Sequence, residues 1–432
     1  MKKVTEFFDN ELCEYSCYST LRMIASGIDG LKNAQRKIIY TALEKNLKSD
    51  TKVSVFDNMV QSYTQYLHGS CAEVIQNMTS DYCGSNNLPL LKGVGNFGTR
   101  FVNEASAPRY VYSKLQEYTK EIFDITDVLV DQYFEGEKIE PKYFVPSIPM
   151  ILVNGSMSCI ASGFKQHILP YKLSDITDYI VNKQKKMIPF IKGYKGKVYK
   201  GQQDNQWVFE GIIEINKNKG HITEIPPFIT YQKYLDVLDT LVDEKKIKSY
   251  KDNSDTKTEI YDFEIVFNEN MTEQKALELL KLQRKEFEIY NIIDENNQVK
   301  TCSSVYEILD YYIDVRERYL NLQKEYDLNK LTNELSINES KYKFVSLIID
   351  DKLKVFKRQK NDIINDLSKT DLLVLDNYEY LLKMPIHSFS SETLEKLREQ
   401  AENTKKELED LKQTNVVDKW HLMLNNFKEK LI

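Results

Sequence analysis

Two stretches of the chain repeat apolar residues at alternating intervals of three and four. The first runs Val305, Ile308, Tyr312, Val315, Tyr319, Leu322, Tyr326, and the second runs Leu394, Leu397, Ala401, Thr404, Leu408, Leu411. This spacing is typical of helices that pack along one seam, as in a coiled coil. Short apolar clusters between the stretches, with turn signals at Pro385 and Ser390, predict an antiparallel helical arm with a helical knob at its tip. A plain helical bundle fits the same spacing.

Glycine and proline divide the chain into two halves. All 15 glycines lie between Gly27 and Gly220, and only Pro385 of the 10 prolines lies beyond Pro227. Because these residues punctuate loops and turns, their near absence predicts long helices in the second half. Residues 190–300 alternate β-branched and aromatic runs with Gly, Asn and Asp, which predicts an α+β domain with hairpins. Before residue 190, short helices alternate with glycine-rich loops.

The composition is that of an ordinary foldable protein, with 41% hydrophobic and 29% charged residues among 432. A chain of this length predicts about two to four domains. The net charge of −6 argues against nucleic-acid binding, although a local basic patch is sufficient to bind phosphate. The six cysteines form no C-x-x-C pair, so we expect no structural zinc site. Their scattered positions suit a protein that works in a reducing cytoplasm. The sequence shows neither a signal peptide nor an apolar run that could span a bilayer.

The first half of the chain contains a glycine-rich motif and, shortly after it, an arginine–tyrosine pair. GVGNFGTR, which begins at Gly93, contains a G-x-G-x-x-G pattern. The segments around it are a poor strand and a poor helix start, so a dinucleotide-binding loop is not favoured. SAPRY, ten residues later, places Arg109 beside Tyr110. A guanidinium there could stabilise a phenolate or clamp a phosphate, but one tyrosine among 28 is more often an ordinary surface or core residue.

Other candidate residues are cations, a histidine and an exposed isoleucine. The motif IDGLKNAQRKIIY holds Lys32, Arg36 and Lys37 at helical spacing. A fourth cation, Arg22, lies ten residues before Lys32. They fit either phosphate contacts at a helix start or a solvated helix face. His68, in YLHGSCAEV, is by itself more often structural than catalytic. Ile160 follows an apolar strand at a small-residue turn, where it could act as a wedge between base pairs.

The order of these motifs resembles the breakage–rejoining core of type IIA DNA topoisomerases. D-G-L-K-x-x-Q-R-K, x-H-G, G-x-G-N-F-G-T-R, A-x-x-R-Y, I-P-x-I-L-V-N-G and x-I-A-x-G follow in the family's order. EIPPFITYQKYLDVLDTLV resembles the tower domain, and YLLKMPIHSFSSETLEKLREQ resembles the return into the coiled-coil arm. The family includes the DNA-cutting chain of gyrase and the eukaryotic topoisomerase II core. The length and layout are most similar to the medium subunit of bacteriophage topoisomerases.

The resemblance implies an α+β multidomain fold. It assigns residues 1–150 to a winged-helix DNA breakage–rejoining domain and residues 151–300 to an α/β tower domain. Residues 301–432 would form the coiled-coil arm, with a helical C-gate dimerisation knob. The implied function is the DNA-cleaving and rejoining subunit of an ATP-dependent type II topoisomerase, acting in the cytoplasm as a homodimer on double-stranded DNA.

The resemblance also implies roles for individual residues. Tyr110 would be the nucleophile that forms a transient 5′-phosphotyrosyl bond, assisted by Arg109, Arg22, Lys32 and His68. The implied DNA-binding residues are Arg36, Lys37, Asn96, Arg100 and Ile160. Among them, Ile160 would intercalate and kink the cut segment.

The sequence departs from the family pattern in three ways. Leu67 stands where the family has the first histidine of its H-x-H-G or H-H-G motif, so His68 would have less support. No β-pinwheel follows the arm, so we do not expect gyrase-type DNA wrapping. Finally, the chain has no D-x-D or nucleotide-binding motif.

The missing motifs imply that Mg²⁺ and ATP are both bound by a toprim/ATPase partner subunit, and that this chain holds no metal. Two other functions remain open from the residues themselves. One is a non-enzymatic architectural DNA-binding dimer, and the other is a coiled-coil scaffold.

Overall fold

The computed structural model describes residues 4–431. Contacts divide them into two units. The first unit comprises residues 4–317 and 420–431, and the second comprises Arg318–Lys419. The three-domain division at residues 150 and 300 stays a prediction. Among the described residues, no helix is long and apolar enough to cross a membrane.

The first unit begins with helices that pack around a small antiparallel sheet. The helices are α1 (Val4–Phe7), a π-helical turn (Phe8–Leu12), α2 (Cys13–Met23), α3 (Asn33–Glu44), α4 (Val53–Tyr63) and α5 (Ala72–Thr79). The sheet has the order β1–β3–β2, from β1 (Thr51–Lys52), β2 (Leu91–Val94) and β3 (Tyr112–Leu115). Helices α3, α4 and α5 contact one another, and the β2–β3 hairpin follows them. Three packed helices followed by a hairpin are compatible with the winged helix that the resemblance implied, which stays a prediction.

Short elements connect these helices and this hairpin to the next sheets. They are α6 (Thr119–Ile122), β4 (Tyr133–Phe134), β5 (Glu137–Lys138), α7 (Met150–Val153), β6 (Ser156–Ile160), β7 (Lys165–Ile168) and α8 (Leu173–Asn182). The β6–β7 pair is an antiparallel hairpin whose tip follows Ile160.

Residues 190–301 form the α+β region that the sequence predicted. Its strands are β8 (Lys197–Lys200), β9 (Gln206–Glu210), β10 (Ile212–Asn216), β11 (Lys219–Glu224), β12 (Ser249–Asp252), β13 (Phe263–Val266), β14 (Gln283–Phe287), β15 (Asn291–Ile293) and β16 (Val299–Thr301). They build sheets of order β10–β11–β13–β12, β14–β9–β8 and β15–β16. Helices α9 (Tyr231–Asp243) and α10 (Glu273–Leu279) complete the region. Tyr234 and Leu238, one turn apart on α9, pack with Phe263 of β13 in its core.

The second unit contains most of the predicted arm, whose first helix begins within the first unit. Helix α11 (Val305–Ile349) has 45 residues, a length of roughly 67 Å at about 1.5 Å per residue. Helix α14 (Ser391–Gln413) runs antiparallel to it, because Lys324 Nζ donates to the carbonyl of Thr414 at 2.8 Å while Asn338 lies beside Thr404. The arm is therefore confirmed over a plain bundle. Ser390 caps α14 by accepting a hydrogen bond from the Thr393 N–H, as expected.

A small helical knob lies between the two arm helices. It contains α12 (Lys360–Leu367), α13 (Glu379–Leu382) and two 3₁₀ turns, Asp376–Tyr378 and Ile386–Phe389. Its core is formed by Phe344, Leu353, Leu367 and Leu381.

The final helix, α15 (Val416–Lys430), buries Trp420 in the first unit. The indole N–H of Trp420 donates to the Ser147 carbonyl at 2.8 Å.

Candidate active site

Tyr110 lies on a turn directly before β3 and is 68% exposed. The backbone of this turn is held in place by the first turn of α4. The N–H of Val53 donates to the carbonyl of Val111 at 3.0 Å, and the N–H of Ser54 donates to that of Pro108 at 3.3 Å. These bonds satisfy N–H groups that a helix start otherwise leaves without a partner. The backbone is therefore fixed while the phenol stays accessible.

Arg109 accompanies Tyr110, as the SAPRY motif predicted. Its guanidinium carbon lies 5.5 Å from the centroid of the Tyr110 ring, and its side chain is exposed. An accessible phenol beside a permanent positive charge can bring a nucleophilic oxygen and a phosphate together.

The glycine-rich loop that precedes Tyr110 connects two antiparallel strands. Leu91 of β2 pairs with Leu115 of β3, so the strand before the loop is better formed than the sequence indicated. The next regular element after the loop is β3 rather than a helix, which agrees with rejecting a dinucleotide fold. Asn96 is exposed, and its Oδ1 accepts a hydrogen bond from the Gly98 N–H at 2.9 Å. Asn96 thus shapes the loop, and its contact with DNA stays a prediction.

His68 lies in the loop between α4 and α5, which a buried carboxylate holds in place. Asp57 of α4 accepts hydrogen bonds from the Ser70 hydroxyl at 2.6 Å and the Cys71 N–H at 2.8 Å. Burial opposes ionisation of Asp57, but bonds from Ser70, Cys71 and Gln61 hold the pKa of Asp57 below its usual value. The loop that presents His68 is therefore anchored by a charged acceptor.

Arg22 and His68 lie close enough for the charge of Arg22 to act on the imidazole. Burial, and then the positive charges of Arg22 and Lys37, lower the pKa of His68. The hydroxyl of Tyr18 hydrogen-bonds His68 Nε2, and the ring of Tyr66 meets the imidazole edge to face, with centroids 5.6 Å apart. The sequence identified Arg22 and His68 but missed both tyrosines. Tyr18 precedes Arg22 by one helical turn, which was the available signal.

The cations assigned to catalysis have no acidic partner. Within the described part of the chain, no ion pair involves Arg22, Lys32 or Arg109. Lys32 lies directly before α3, at a cavity of about 410 Å³ that Asn77 and Asn86 also line. All three charges are therefore available for a phosphate.

Arg36 and Lys37 require a correction, because the structure buries both. Arg36 Nε and Nη2 donate to the two carboxylate oxygens of Asp29 at 2.6 and 3.1 Å. Lys37 Nζ donates to Glu140 at 2.8 Å and to the Thr64 carbonyl at 2.7 Å. Every residue from 36 to 42 on α3 is buried, whereas Asn33, Ala34 and Gln35 in its first turn are half-buried. The prediction that these two cations bind the DNA backbone is therefore not supported.

Arg100 requires the same correction. It is buried, its guanidinium pairs with the Glu224 carboxylate, and it donates to the Ile225 carbonyl at 3.0 Å. The guanidinium also lies 4.6 Å from the centroid of the Tyr261 ring. Arg100 thus joins the glycine-rich loop to the α+β region instead of facing solvent.

Ile160 is 66% exposed at the end of β6, as a wedge residue must be. Gln166 holds the base of this hairpin. Its Oε1 accepts from the Ala25 N–H at 3.0 Å and the Ser156 hydroxyl at 2.7 Å. Its Nε2 donates to the carbonyls of Ala25 at 3.2 Å and Asn291 at 2.7 Å. The exposed tip therefore projects from a hairpin that the hydrogen bonds of the Gln166 side-chain amide hold in place.

Sequence reasoning missed a basic segment within residues 183–200. This window contains seven lysines and no acidic residue, in a chain of net charge −6. All seven are exposed: Lys183, Lys185, Lys186, Lys192, Lys195, Lys197, Lys200. Some form surface ion pairs, such as Lys192 with Asp81 at 2.6 Å, and such pairs bind weakly. A charge count over short windows would have found this segment.

Four of the five predicted catalytic residues fall into two groups, Tyr110 with Arg109 and Arg22 with His68, while Lys32 lies at the start of α3. Among residues 4–431, no hydrogen bond, ion pair or ring contact joins the two groups. Nor do the described residues include a cluster of three or more His, Cys, Asp or Glu that could hold a metal.

The chain is similar to DNA topoisomerases 2 over nearly its whole length. The chain is 32% identical to the mitochondrial DNA topoisomerase 2 of Dictyostelium discoideum, covering 100% of this chain and 35% of that protein. It is 29% identical to the DNA topoisomerase 2 of Saccharomyces cerevisiae, covering 98% of this chain and 34% of the relative. The chain thus spans about a third of the length of these relatives.

A solved structure has the same fold. The DNA-binding, cleavage and re-ligation domain of Plasmodium falciparum topoisomerase II superposes with a TM-score of 0.84 at 31% identity, covering 99% of this chain and 64% of that one. The DNA gyrase/topoisomerase IV A-subunit family matches residues 22–428. This chain belongs to the DNA gyrase/topoisomerase IV A-subunit family and has the type IIA topoisomerase breakage–rejoining fold.

Proposed function

We propose that this chain cuts and rejoins double-stranded DNA as part of an ATP-dependent type IIA topoisomerase, with Tyr110 as the nucleophile. The observation that carries the proposal is the accessible Tyr110–Arg109 pair on the rigid turn before β3. Family membership supplies the reaction class, since breakage and rejoining belong to this fold.

The proposed chemistry is a transesterification. The Tyr110 oxygen attacks the scissile phosphorus, the bond to the 3′ oxygen breaks, and a 5′-phosphotyrosyl bond forms. The phenol proton leaves Tyr110 and the 3′ oxygen gains a proton, a transfer that His68 assists. Arg109, Arg22 and Lys32, which have no acidic partner, stabilise the charge on the phosphorane. Because one phosphodiester replaces another, the reverse reaction reseals the strand without an external energy source.

DNA binding relies on a different set of cations from the one the sequence first indicated. With Arg36, Lys37 and Arg100 occupied internally, the lysine-rich segment 183–200 is the surface best suited to contact phosphates. Ile160 would enter the base stack and kink the duplex.

The proposed assembly is a homodimer with a second protein. In the second unit, Phe356, Val374 and Ile386 are 66%, 66% and 77% exposed, apolar surface that a second copy would cover. We assign Mg²⁺ and ATP to a toprim/ATPase partner, as the family resemblance implies for a chain without a D-x-D or nucleotide-binding motif. When bound, Mg²⁺ would neutralise charge on the phosphate. A cytoplasmic location is part of the proposal and suits the free thiols of this chain.

Cleavage by a Tyr110→Phe variant tests the proposal. The assay mixes the chain with its partner, Mg²⁺ and supercoiled plasmid. Detergent traps the covalent cleavage complex, and the DNA attached to protein is then measured. We expect none from Tyr110→Phe and a normal yield from Tyr133→Phe, a control tyrosine that is 64% exposed. Covalent product from Tyr110→Phe would refute the mechanism. Normal DNA bending without any cleavage by the unaltered chain would support an architectural DNA binder instead.

A further inference from the structure

Two tyrosines bracket His68 in its exposed loop. Tyr18 of α2 lies one turn before Arg22, and its hydroxyl hydrogen-bonds His68 Nε2. The two ring centroids are 5.7 Å apart. Tyr66 meets the same imidazole edge to face at an interplanar angle of 74°. The imidazole therefore has a hydrogen-bond partner, the Tyr18 hydroxyl, at one nitrogen, and the Tyr66 ring packs against it.

Either the Tyr18 hydroxyl or the ring nitrogen can donate in this bond, and the charges that act on His68 decide whether the ring is neutral. These are Arg22 from α2 and Lys37 from α3, and both favour the neutral imidazole. A neutral imidazole carries one proton, with one nitrogen a donor and the other an acceptor. When the Tyr18 O–H donates to Nε2, the proton must lie on Nδ1. The Tyr18 hydroxyl lies 3.5 Å from Nδ1, at the outer limit of a hydrogen bond, so an Nδ1–H group can still donate to a phosphate oxygen.

We propose that Tyr18 is a positioning residue of the cleavage site, whose hydroxyl fixes the orientation and the Nδ1–H tautomer of His68. It substitutes for the histidine that the family resemblance places at position 67, where this chain has Leu67, 73% exposed. A side chain that hydrogen-bonds one ring nitrogen of a histidine commonly acts in this way, because it decides which nitrogen carries the proton. The inference rests on the proposed function of His68.

The tautomer is measurable without any activity assay. The chain has only five histidines, so ¹⁵N-histidine labelling gives a readable set of ring nitrogens by NMR. We expect the protonated nitrogen of His68 to be Nδ1 in the unaltered chain and to change in Tyr18→Phe. The matched control is Tyr15→Phe on the same helix, 60% exposed, which should leave His68 unchanged. An unchanged His68 tautomer in Tyr18→Phe overturns the proposal.

Cleavage kinetics with the partner protein test the consequence. Tyr18→Phe should lower the cleavage rate about tenfold, a part of the ~10²–10⁴ that general acid–base catalysis contributes. DNA affinity should stay within about twofold, because Tyr18 itself makes no phosphate contact in this scheme. Tyr15→Phe should cleave normally.

The outcomes separate this inference from the function on which it rests. If His68→Ala cleaves normally, the proposed role of His68 fails, and the role of Tyr18 fails with it. If His68→Ala is slow but Tyr18→Phe cleaves at the normal rate, only the positioning role is overturned. If Tyr110→Phe still forms covalent product, the proposed function itself fails.

Discussion

The Arg36–Asp29 pair allows a direct test of whether Arg36 supports the fold or binds DNA. Asp29 is fully buried, and its carboxylate also accepts hydrogen bonds from the backbone N–H groups of Leu31 at 2.9 Å and Phe144 at 3.0 Å. Arg36→Met removes the charge but keeps much of the side-chain volume. The Asp29 carboxylate would then remain buried without a cation.

Removing one partner of a buried ion pair costs about 3–5 kcal/mol, which corresponds to a fall in Tm of roughly 4–7 °C for a unit of this size, at about 2.1 cal/mol/K of unfolding entropy per residue. We expect this loss for Arg36→Met in thermal and urea unfolding. The double variant Arg36→Met/Asp29→Asn should cost less than the sum of the single variants, since neither charge is then left unpaired.

A DNA contact predicts a different result. Each phosphate contact contributes about −0.9 to the slope of log K against log[salt]. Arg36→Met should leave that slope unchanged, whereas Lys186→Met, at an exposed lysine of segment 183–200, should reduce its magnitude by up to ~0.9 with little loss of stability. A normal Tm together with a reduced slope for Arg36→Met would refute the structural role of this pair.

Three further changes have defined outcomes. Ile160→Ala should reduce the bend of a bound duplex measured by fluorescence energy transfer, whereas Ile260→Ala, 50% exposed, should not; equal bending would exclude the wedge. Burial raises the pKa of Glu288, so the folded state favours its neutral form, and stability should fall as pH rises from about 4.3 through that raised pKa. Glu288→Gln should flatten this pH dependence in urea unfolding, and an unchanged slope would contradict the assignment. Leu367→Ala, in the knob core, should cost about 2–5 kcal/mol in chemical denaturation, and a loss well below that range would mean that the site is not tightly packed.

Much of the fold could be predicted from local patterns. The seam from Val305 to Tyr326 and the absence of glycine after Gly220 predicted the arm, because helix periodicity and helix breaking are properties of neighbouring residues. Ser390 was identified as a helix cap for the same reason. The exposure of Tyr110 and Ile160 also agreed with their motifs, since short loops between regular elements lie at the surface.

The sequence by itself determined the order of the motifs, the class of secondary structure in each half and the identity of the candidate nucleophile. It did not determine which cations face solvent. Arg36 and Arg22 are both arginines near helix ends, yet Arg36 pairs with Asp29 inside the protein while Arg22 has no ion pair within the described residues and its charge acts on the exposed His68. The partner of a charge depends on which distant segments fold against it, as Glu224 does against Arg100 from 124 residues away. Only the tertiary structure decided which positive charges are neutralised and which remain available to DNA.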